Sequence, residues 1–260
     1  MSSGLLSKKK NLTEIDHQKI KTSPELAQNL GDRWGFVAVL PDTGFIQAIH
    51  NGKRTQEQAL IFLQKIKSRS NGLAPLFLSD AWFYGEVLEA TYCNYVPVPY
   101  KGRGRPPLPK RVVDENLKYA QVYKKRNDKG KIEEITTRII KGNKEDIFAI
   151  IQDSGRATTI NTSFVESRNG KYRKDNARLI RDTLCHSKKD IYHDAHSQFL
   201  TTVFNYCREN KALRVLINPD APRFHTKFLK KSAAMGEGII DKILTLKELL
   251  CRRVPKVSIL

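Results

Sequence analysis

Two acidic residues occupy positions where a carboxylate could take part in phosphodiester chemistry. Asp80 ends the apolar segment Leu76-Phe-Leu-Ser-Asp80, which predicts a short strand with an acid at its carboxyl end, where open α/β sheets place their ligands. Glu166 lies early in a predicted helix that is otherwise rich in Lys and Arg. Oxygen ligands suit Mg²⁺, and two such ions ~3.5–4 Å apart stabilise the attacking and leaving oxygens in phosphoryl transfer. The pair predicts a two-metal Mg²⁺ (or Mn²⁺) site, with both acids as catalytic residues and metal ligands.

Each acid also has a purely structural interpretation. Asp80 could cap a helix that begins near Trp82, and Glu166 could be an exposed ion-pair partner. One cysteine and three histidines between 185 and 196 invite a zinc interpretation, but no compact cysteine pair accompanies them. The pattern alone therefore leaves the metal-binding and structural roles of the two acids open.

The charge balance indicates a polyanionic partner. The 260 residues include 46 Lys and Arg against 27 Asp and Glu, for a net charge of +19 and a pI of about 9.8. Segment 101–111 carries five cations, no anion and three prolines, which is typical of an extended basic loop that contacts phosphates. The cations predicted to bind DNA in this loop and along the Glu166 helix are Arg103, Arg105, Lys110, Arg111, Arg168, Lys171, Arg173, Arg178 and Arg181.

Composition excludes several classes of protein. With 40% hydrophobic residues the chain can bury a core, which disfavours wholesale disorder. No apolar run approaches the ~20 residues that span a bilayer, and the first ten residues have no apolar signal-peptide region of ~7–15 residues. Four scattered cysteines indicate neither a disulfide framework nor a zinc ribbon. These features predict a cytoplasmic, nucleoid-associated protein with no membrane partner.

The order of predicted elements indicates an α/β fold with a mixed sheet flanked by helices. Strands at 34–40 and 45–50 form a hairpin, Thr55 caps a helix, and a strand, a helix and a strand follow at 75–78, 82–92 and 95–98. Two further strands, 117–125 and 132–140, flank the turn Asn127-Asp-Lys-Gly130 and are expected to form an inserted hairpin. Helical patterns complete the chain over 23–29, 144–152, 162–189, 193–208 and 239–250.

These patterns divide the chain into five parts. A polar N-terminal remnant (1–30) precedes the first part of the core (31–98), and a basic loop with the inserted hairpin follows (99–157). The remainder of the core carries Glu166 (158–210), and a C-terminal tail ends in a short helix (211–260).

Several short motifs resemble one family when they are taken in order along the chain. They are Gly31-Asp-Arg-Trp34, Gly52-Lys-Arg-Thr55, Leu78-Ser-Asp-Ala-Trp82, Asn161-Thr-Ser-Phe-Val-Glu-Ser-Arg-Asn169 and Asn176-Ala-Arg-Leu-Ile-Arg181, with a late block over 234–250. Together they resemble the IS-one-type insertion-sequence transposases. The resemblance implies a ribonuclease H-like core with an Asp-Asp-Glu triad, metal-dependent DNA cleavage and strand transfer, and a homo-oligomer on DNA.

The same resemblance assigns two of the three acids. Asp80 matches the second triad Asp and Glu166 matches the triad Glu. The first Asp should precede the Lys-rich turn at 8–10, yet residues 1–7 contain no acid, and the nearby Asp32 and Asp42 match other positions. The resemblance thus implies an N-terminally shortened chain whose first central strand is poorly filled by 2–7.

Two functions are compatible with these sequence features. The first is a shortened DNA transposase, active or inactive. The second is a non-catalytic DNA-binding remnant that could inhibit an intact transposase. The number of carboxylates at the site separates them, because two-metal transfer needs acids on both ions. An RNA-binding protein would explain the charge alone.

Overall fold

The computed structural model describes residues 2–5, 13–22, 31–80, 84–100, 102, 105–155, 157–179, 185, 187, 189–222 and 227–252, which form a mixed α/β fold. The helices are α1 (Glu14–Thr22), α2 (Gln56–Arg69), α3 (Tyr84–Thr91), α4 (Lys144–Asp153), α5 (Ser163–Asp175), α6 (Asp190–Tyr206), α7 (Ala233–Gly236) and α8 (Leu246–Cys251). The strands are β1 (Ser2–Leu5), β2 (Gly31–Val39), β3 (Ile46–Gly52), β4 (Leu76–Ser79), β5 (Cys93–Val96), β6 (Lys110–Val113), β7 (Lys118–Arg126), β8 (Ile132–Lys141), β9 (Val215–Leu216) and β10 (Phe228–Leu229). Short 3₁₀ turns occur at Ala177–Leu179 and Lys211–Leu213.

Within the described residues, the strands form two three-stranded sheets and two short ribbons. One sheet is antiparallel in the order β1-β2-β3, and the other is mixed in the order β4-β7-β8, with β4 parallel to β7. The ribbons are β5-β6 and β9-β10. None of the described helices is long and apolar enough to cross a bilayer. The structure confirms the α/β class, the mixed sheet and the flanking helices that the sequence predicts.

Local sequence signals account for the first hairpin and the helix after it. β2 pairs antiparallel with β3 from Trp34 opposite Gly52 to Val39 opposite Ile46. The connecting turn uses Gly44 at φ +67°, a left-handed conformation that favours glycine. The Thr55 side chain accepts a hydrogen bond from the backbone N–H of Gln58 and so begins α2. Both elements lie where their patterns predict them.

The hairpin expected as an insertion is instead part of the central structure. β7 pairs with β4 from Leu76 opposite Lys118 to Ser79 opposite Gln121, and with β8 on its other side. Its residues Ala120 and Val122 are buried against Ile147 of α4. A strand that is paired on both sides and covered by a helix belongs to the core of the described fold, although the sequence pattern predicts an inserted segment at 99–157.

The N-terminal region contains more structure than its weak pattern predicts. β1 pairs with Gly31–Trp34, the first part of β2, and α1 follows it. Among the described residues, β1 pairs with β2 alone and does not lie between β2 and β4. The helix expected at 23–29 and residue Trp82 lie outside the described residues.

The largest core cluster holds the two sheets against α2 and α3. It buries Phe36 of β2, Phe62 and Leu63 of α2, Leu88 of α3 and Tyr119 of β7. Each fully buried apolar side chain stabilises the fold by about 1.5–3 kcal/mol. Because β2 and β7 contribute to one cluster, the two sheets are held in a fixed relation, and residues at their ends can share a site.

The Glu166 helix is positioned by a chain of polar contacts that begins at β3. The side-chain amide of Asn205 on α6 donates to the carbonyl of Ile46 at 2.9 Å and accepts from its N–H at 3.0 Å. The Tyr172 hydroxyl on α5 then donates to the Ser197 carbonyl on α6 at 2.8 Å. All four residues are buried. The first sheet therefore fixes α6, and α6 fixes α5.

Candidate active site at the ends of β4 and α5

Asp80 lies at the carboxyl end of the mixed sheet beside two tyrosines. It is exposed and directly follows β4, as the sequence predicts. Burial raises the pKa of Tyr84, and the neighbouring Tyr119 and the Asp80 carboxylate raise it further. Burial also raises the pKa of Tyr119, whose hydroxyl lies 2.8 Å from the Ser79 hydroxyl. Asp80 thus lies at the edge of the cavity, beside a wall that Tyr84 and Tyr119 line.

Glu166 lies in the first turn of α5 and is held by a lysine from β7. Its Oε1 accepts hydrogen bonds from Lys124 and, at 3.1 Å, from the Thr162 hydroxyl. Lys124 also donates to that hydroxyl at 3.2 Å. The hydrogen bond from Lys124 is the main cause that lowers the pKa of Glu166, while partial burial acts in the opposite direction. Glu166 is therefore ionised and paired.

The register of the sheet explains why Lys124 reaches this place. Since Ser79 lies opposite Gln121 in parallel pairing, β7 continues past the end of β4. Lys124 is two residues beyond the level of Asp80, which corresponds to about 6.6 Å along the strand. The pairing thus brings a basic side chain to the edge where Asp80 ends its strand.

One face of α5 points toward the cavity. At helical spacing, Thr162, Val165, Glu166, Asn169, Gly170 and Arg173 all line it. The opposite stripe, Arg168 and Tyr172, is buried against α6. Lys171 is exposed and lines no part of the cavity. The helix therefore presents one acid and one arginine to the same opening.

A single cavity of about 520 Å³ joins the two acids. Asp80 borders it from β4, and Glu166 and the exposed Arg173 border it from α5. The two acids are 86 residues apart in sequence (166 − 80), so tertiary structure brings them together. Residues Lys124, Arg126 and Arg173 supply positive charge near Glu166 or at the rim.

The donors around the cavity fit one divalent cation better than two. Mg²⁺ is commonly held by one or two carboxylates together with waters and substrate phosphates, and Asp80 and Glu166 could provide such a set. Among the described residues, no group of three His, Cys, Asp or Glu side chains is close enough to hold a metal ion. The two-metal arrangement expected from sequence would need a further acid beyond these two.

Apart from Arg168, the predicted DNA-binding cations fall into three groups. Arg105, Lys110 and Arg111 are exposed, the last two on β6, and Lys171 and Arg173 are exposed on α5. Arg178 is half-buried and donates to the Ser187 hydroxyl at 3.2 Å. Arg103 and Arg181 lie outside the described residues. The first group is available to phosphates, whereas Arg178 is held beside α6 and not at the cavity.

Arg168 is a packing residue, which corrects its assignment to DNA. Its guanidinium lies 4.1 Å from the centre of the Phe204 ring on α6 and is only 8% exposed. Burial lowers its pKa to about 10. A Cβ at Gly44 would collide with this guanidinium, so the hairpin turn closes directly over it. No face of Arg168 remains for a phosphate.

The zinc interpretation of 185–196 gains no support. His193 is buried, and its Nδ1 lies 2.9 Å from the Ser187 hydroxyl. Burial lowers the pKa of His193, which keeps the ring neutral in this contact. The histidine therefore belongs to the packing of α6.

Sequence reasoning missed Lys124, Asn169 and the two tyrosines of the site. One sequence feature could have identified Lys124. It is the next residue after Ala120 and Val122 on the face of β7 that points into the core. Burial of an unpaired charge is costly, so a lysine on this face either extends its ammonium group to solvent or forms an ion pair. Here the partner is Glu166.

The arrangement defines a class of site: a strand-end carboxylate and a helix carboxylate at one cavity with a basic rim. Comparison with protein-family models, with curated proteins and with solved structures finds no match for the chain.

Removing Lys124 is expected to strengthen binding of a divalent cation. In Lys124→Met, Glu166 loses its competing cation, and a partly exposed ion pair of this kind contributes about 0.2–1 kcal/mol. We expect Mn²⁺ to bind roughly two- to fivefold more tightly by isothermal titration calorimetry. Lys125→Met, an exposed neighbour on β7, is the matched control. Equal affinities in all three proteins would show that Lys124 does not compete with the metal.

Proposed function

We propose that the chain is a DNA-binding protein of the insertion-sequence transposase type, with Asp80 and Glu166 as two of its metal-binding acids. The observation that supports this most is their shared cavity. The ordered motifs that resemble IS-one-type transposases are in agreement, and so are the mixed sheet and the acid at the end of β4. In this proposal the fold is a ribonuclease H-like core, and the chain acts as a homo-oligomer on DNA in the cytoplasm, at the nucleoid.

Each residue of the proposed site has a defined role. Asp80 and Glu166 would hold Mg²⁺ or Mn²⁺, which when bound supplies Lewis-acid stabilisation of charge on a phosphodiester. Arg173, exposed on the rim, would bind a phosphate of the DNA strand and orient it toward the acids. Lys124 pairs with Glu166 and lowers the pKa of that carboxyl, so a metal ion that binds Glu166 must displace it.

A second candidate function is supported by the number of acids. Two carboxylates line the cavity among the described residues, and one of them is ion-paired to Lys124. A chain in this state would bind DNA without cutting it, and could inhibit an intact transposase by mixed assembly. The two candidate functions share DNA binding and differ in strand cleavage.

Nicking of a supercoiled plasmid separates the two functions. We expect the chain alone to bind the plasmid and to leave it uncut in Mg²⁺ or Mn²⁺, because two-metal transfer needs carboxylates on both ions. Cleavage that is lost in Asp80→Asn would contradict this expectation and would show that a further acid, such as Asp32 or Asp42, completes the site. Absence of DNA binding would contradict the proposed function itself.

The exposed cations of the basic loop are expected to dominate the salt dependence of DNA binding. Replacing Arg105, Lys110 and Arg111 by Gln should reduce the slope of log K against log salt concentration by up to ~0.9 for each phosphate that the variant no longer neutralises. Fluorescence anisotropy with a duplex of arbitrary sequence measures the slope.

A control must remove the same charge elsewhere. Three exposed lysines outside this region serve that purpose: Lys21, Lys211 and Lys247. If both triple variants reduce the slope equally, the loop contributes only net charge and is not a phosphate-binding segment.

A further inference from the structure

The cavity beside Asp80 runs along the edges of two strands. It is lined by every residue from Trp34 to Leu40 and by every residue from Pro75 to Asp80. Successive side chains of a strand point to opposite faces, so a cavity against one face would touch alternate residues only. Contact with each consecutive residue is what a cavity along the backbone edges of β2 and β4 gives, and the cavity also reaches Gln47 of β3 and Tyr119 of β7. We refer to this edge-lined space as the slot.

Strand pairing among the described residues leaves the slot between two edges. β2 is bonded to β3 along 34–39, but on its other side β1 reaches only Gly31–Trp34. β4 is bonded to β7, and no other described strand pairs with it. Segments 36–39 and 76–78 therefore present backbone edges to the slot, and such edges are templates for a further strand.

The walls of the slot suit apolar side chains. Its floor is made by Phe62, Leu63 and Ile66 of α2 and Leu88 of α3, all of which are buried. On the opposite side, Val165 and Gly170 of α5 line it. The four residues of β4 remain only half-buried although helices flank the sheet. A strand inserted here would be covered on both faces, as apolar strands in parallel or mixed sheets are.

The pairing of β1 sets the direction that a strand in the slot would take. β1 runs antiparallel to β2, and Ser2 lies opposite Trp34 at the point where the slot begins. A strand collinear with β1 therefore continues antiparallel to β2 and enters the slot opposite Phe36–Val39. The slot is a direct continuation of an interface that the fold already uses.

We propose that the slot binds an extended peptide from another polypeptide, collinear with β1 and antiparallel to β2. The partner segment is about four or five residues long, apolar on both faces and free of proline, because both of its edges donate and accept backbone hydrogen bonds. This binding would pair the edges of 36–39 and 76–78 at once and join the two sheets into one.

Hydrogen–deuterium exchange of the full chain with a synthetic peptide tests the proposal. The probe is acetyl-Lys-Val-Ile-Val-Thr-Val-Lys-amide, and the control peptide replaces its central Val and the following Val by Pro. At a concentration about ten times its Kd, the probe should slow exchange by roughly tenfold at those amides of 36–39 and 76–78 that are not already bonded to β3 or β7. The proline peptide should leave exchange at these amides unchanged.

A variant that fills the slot distinguishes binding of the probe peptide in the slot from nonspecific binding elsewhere on the surface. Gly170→Trp would fill the slot from α5, where a Cβ meets no atom within 4 Å and the residue is exposed. It should abolish the protection, whereas the neighbouring solvent-facing Lys171→Trp should preserve it.

Three results would overturn the proposal. They are no protection by the probe, equal protection by the proline peptide, and amides already protected in a dimeric free chain, in which case a second copy occupies the slot. Neither metal nor DNA enters the experiment, so its outcome is independent of the proposed DNA function.

Discussion

Asp80→Asn and Glu166→Gln are each expected to weaken Mn²⁺ binding by at least about 100-fold. Substitution of groups that only contact a metal ligand typically costs 10–100-fold in metal affinity, and a direct carboxylate ligand should cost more. Because both acids line one cavity, the double variant should be little worse than either single variant. Isothermal titration calorimetry in the absence of DNA measures all three affinities.

Acids away from the cavity provide the control for this prediction. Glu145→Gln and Asp153→Asn change the same side-chain types at the two ends of α4, and neither residue lines the cavity. Both should bind Mn²⁺ as the parent chain does. Loss of one of two bound ions in each single variant, seen as a change in stoichiometry, would instead indicate two separate metal sites.

Asn205→Leu should produce the largest loss of stability among polar substitutions. The variant leaves the N–H and the carbonyl of Ile46 without their partners in a buried place, since Asn205 is only 3% exposed. An unsatisfied buried backbone group costs about 1–3 kcal/mol, so we expect a decrease of about 2–5 kcal/mol in the free energy of unfolding.

Denaturant unfolding followed by circular dichroism checks the effect of Asn205→Leu. Gln198→Leu makes a comparable change at an exposed position of the same helix and should shift stability by less than about 0.5 kcal/mol. Equal losses in the two variants would show that the contact between α6 and β3 carries no special stability. A large loss confined to Asn205→Leu would support the chain of contacts that positions α5.

The elements that sequence predicts well are those with local signals. Thr55 caps its helix through the N–H of a residue three positions later, and the first hairpin is fixed by a glycine turn between two apolar runs. Glu166 lies in the first turn of its helix and accepts a hydrogen bond from the Thr162 hydroxyl four positions earlier, which is also a local contact. Such interactions join residues close in the chain, so the sequence pattern contains them.

Pairing between strands that are distant in the sequence leaves no such local pattern and could not be predicted from it. β7 looks like one arm of a simple hairpin, yet its other edge pairs with β4 about 40 residues earlier. The contact of Lys124 with Glu166 follows from that pairing and from the position of α5. The sequence predicts that Arg168 binds DNA because its helix is rich in Lys and Arg, but an aromatic partner on α6, Phe204, holds it in the interior.

Iron-mediated cleavage of the polypeptide tests the central claim, that Asp80 and Glu166 hold one divalent cation between them. Fe²⁺ bound in place of Mg²⁺ with ascorbate and peroxide generates radicals that cut the backbone next to the metal. We predict cuts at two segments, beside Asp80 and beside Glu166, with both suppressed by excess Mg²⁺ and both lost in Asp80→Asn. Cuts beside only one of the two acids, or cuts that persist in Asp80→Asn, would contradict the shared site.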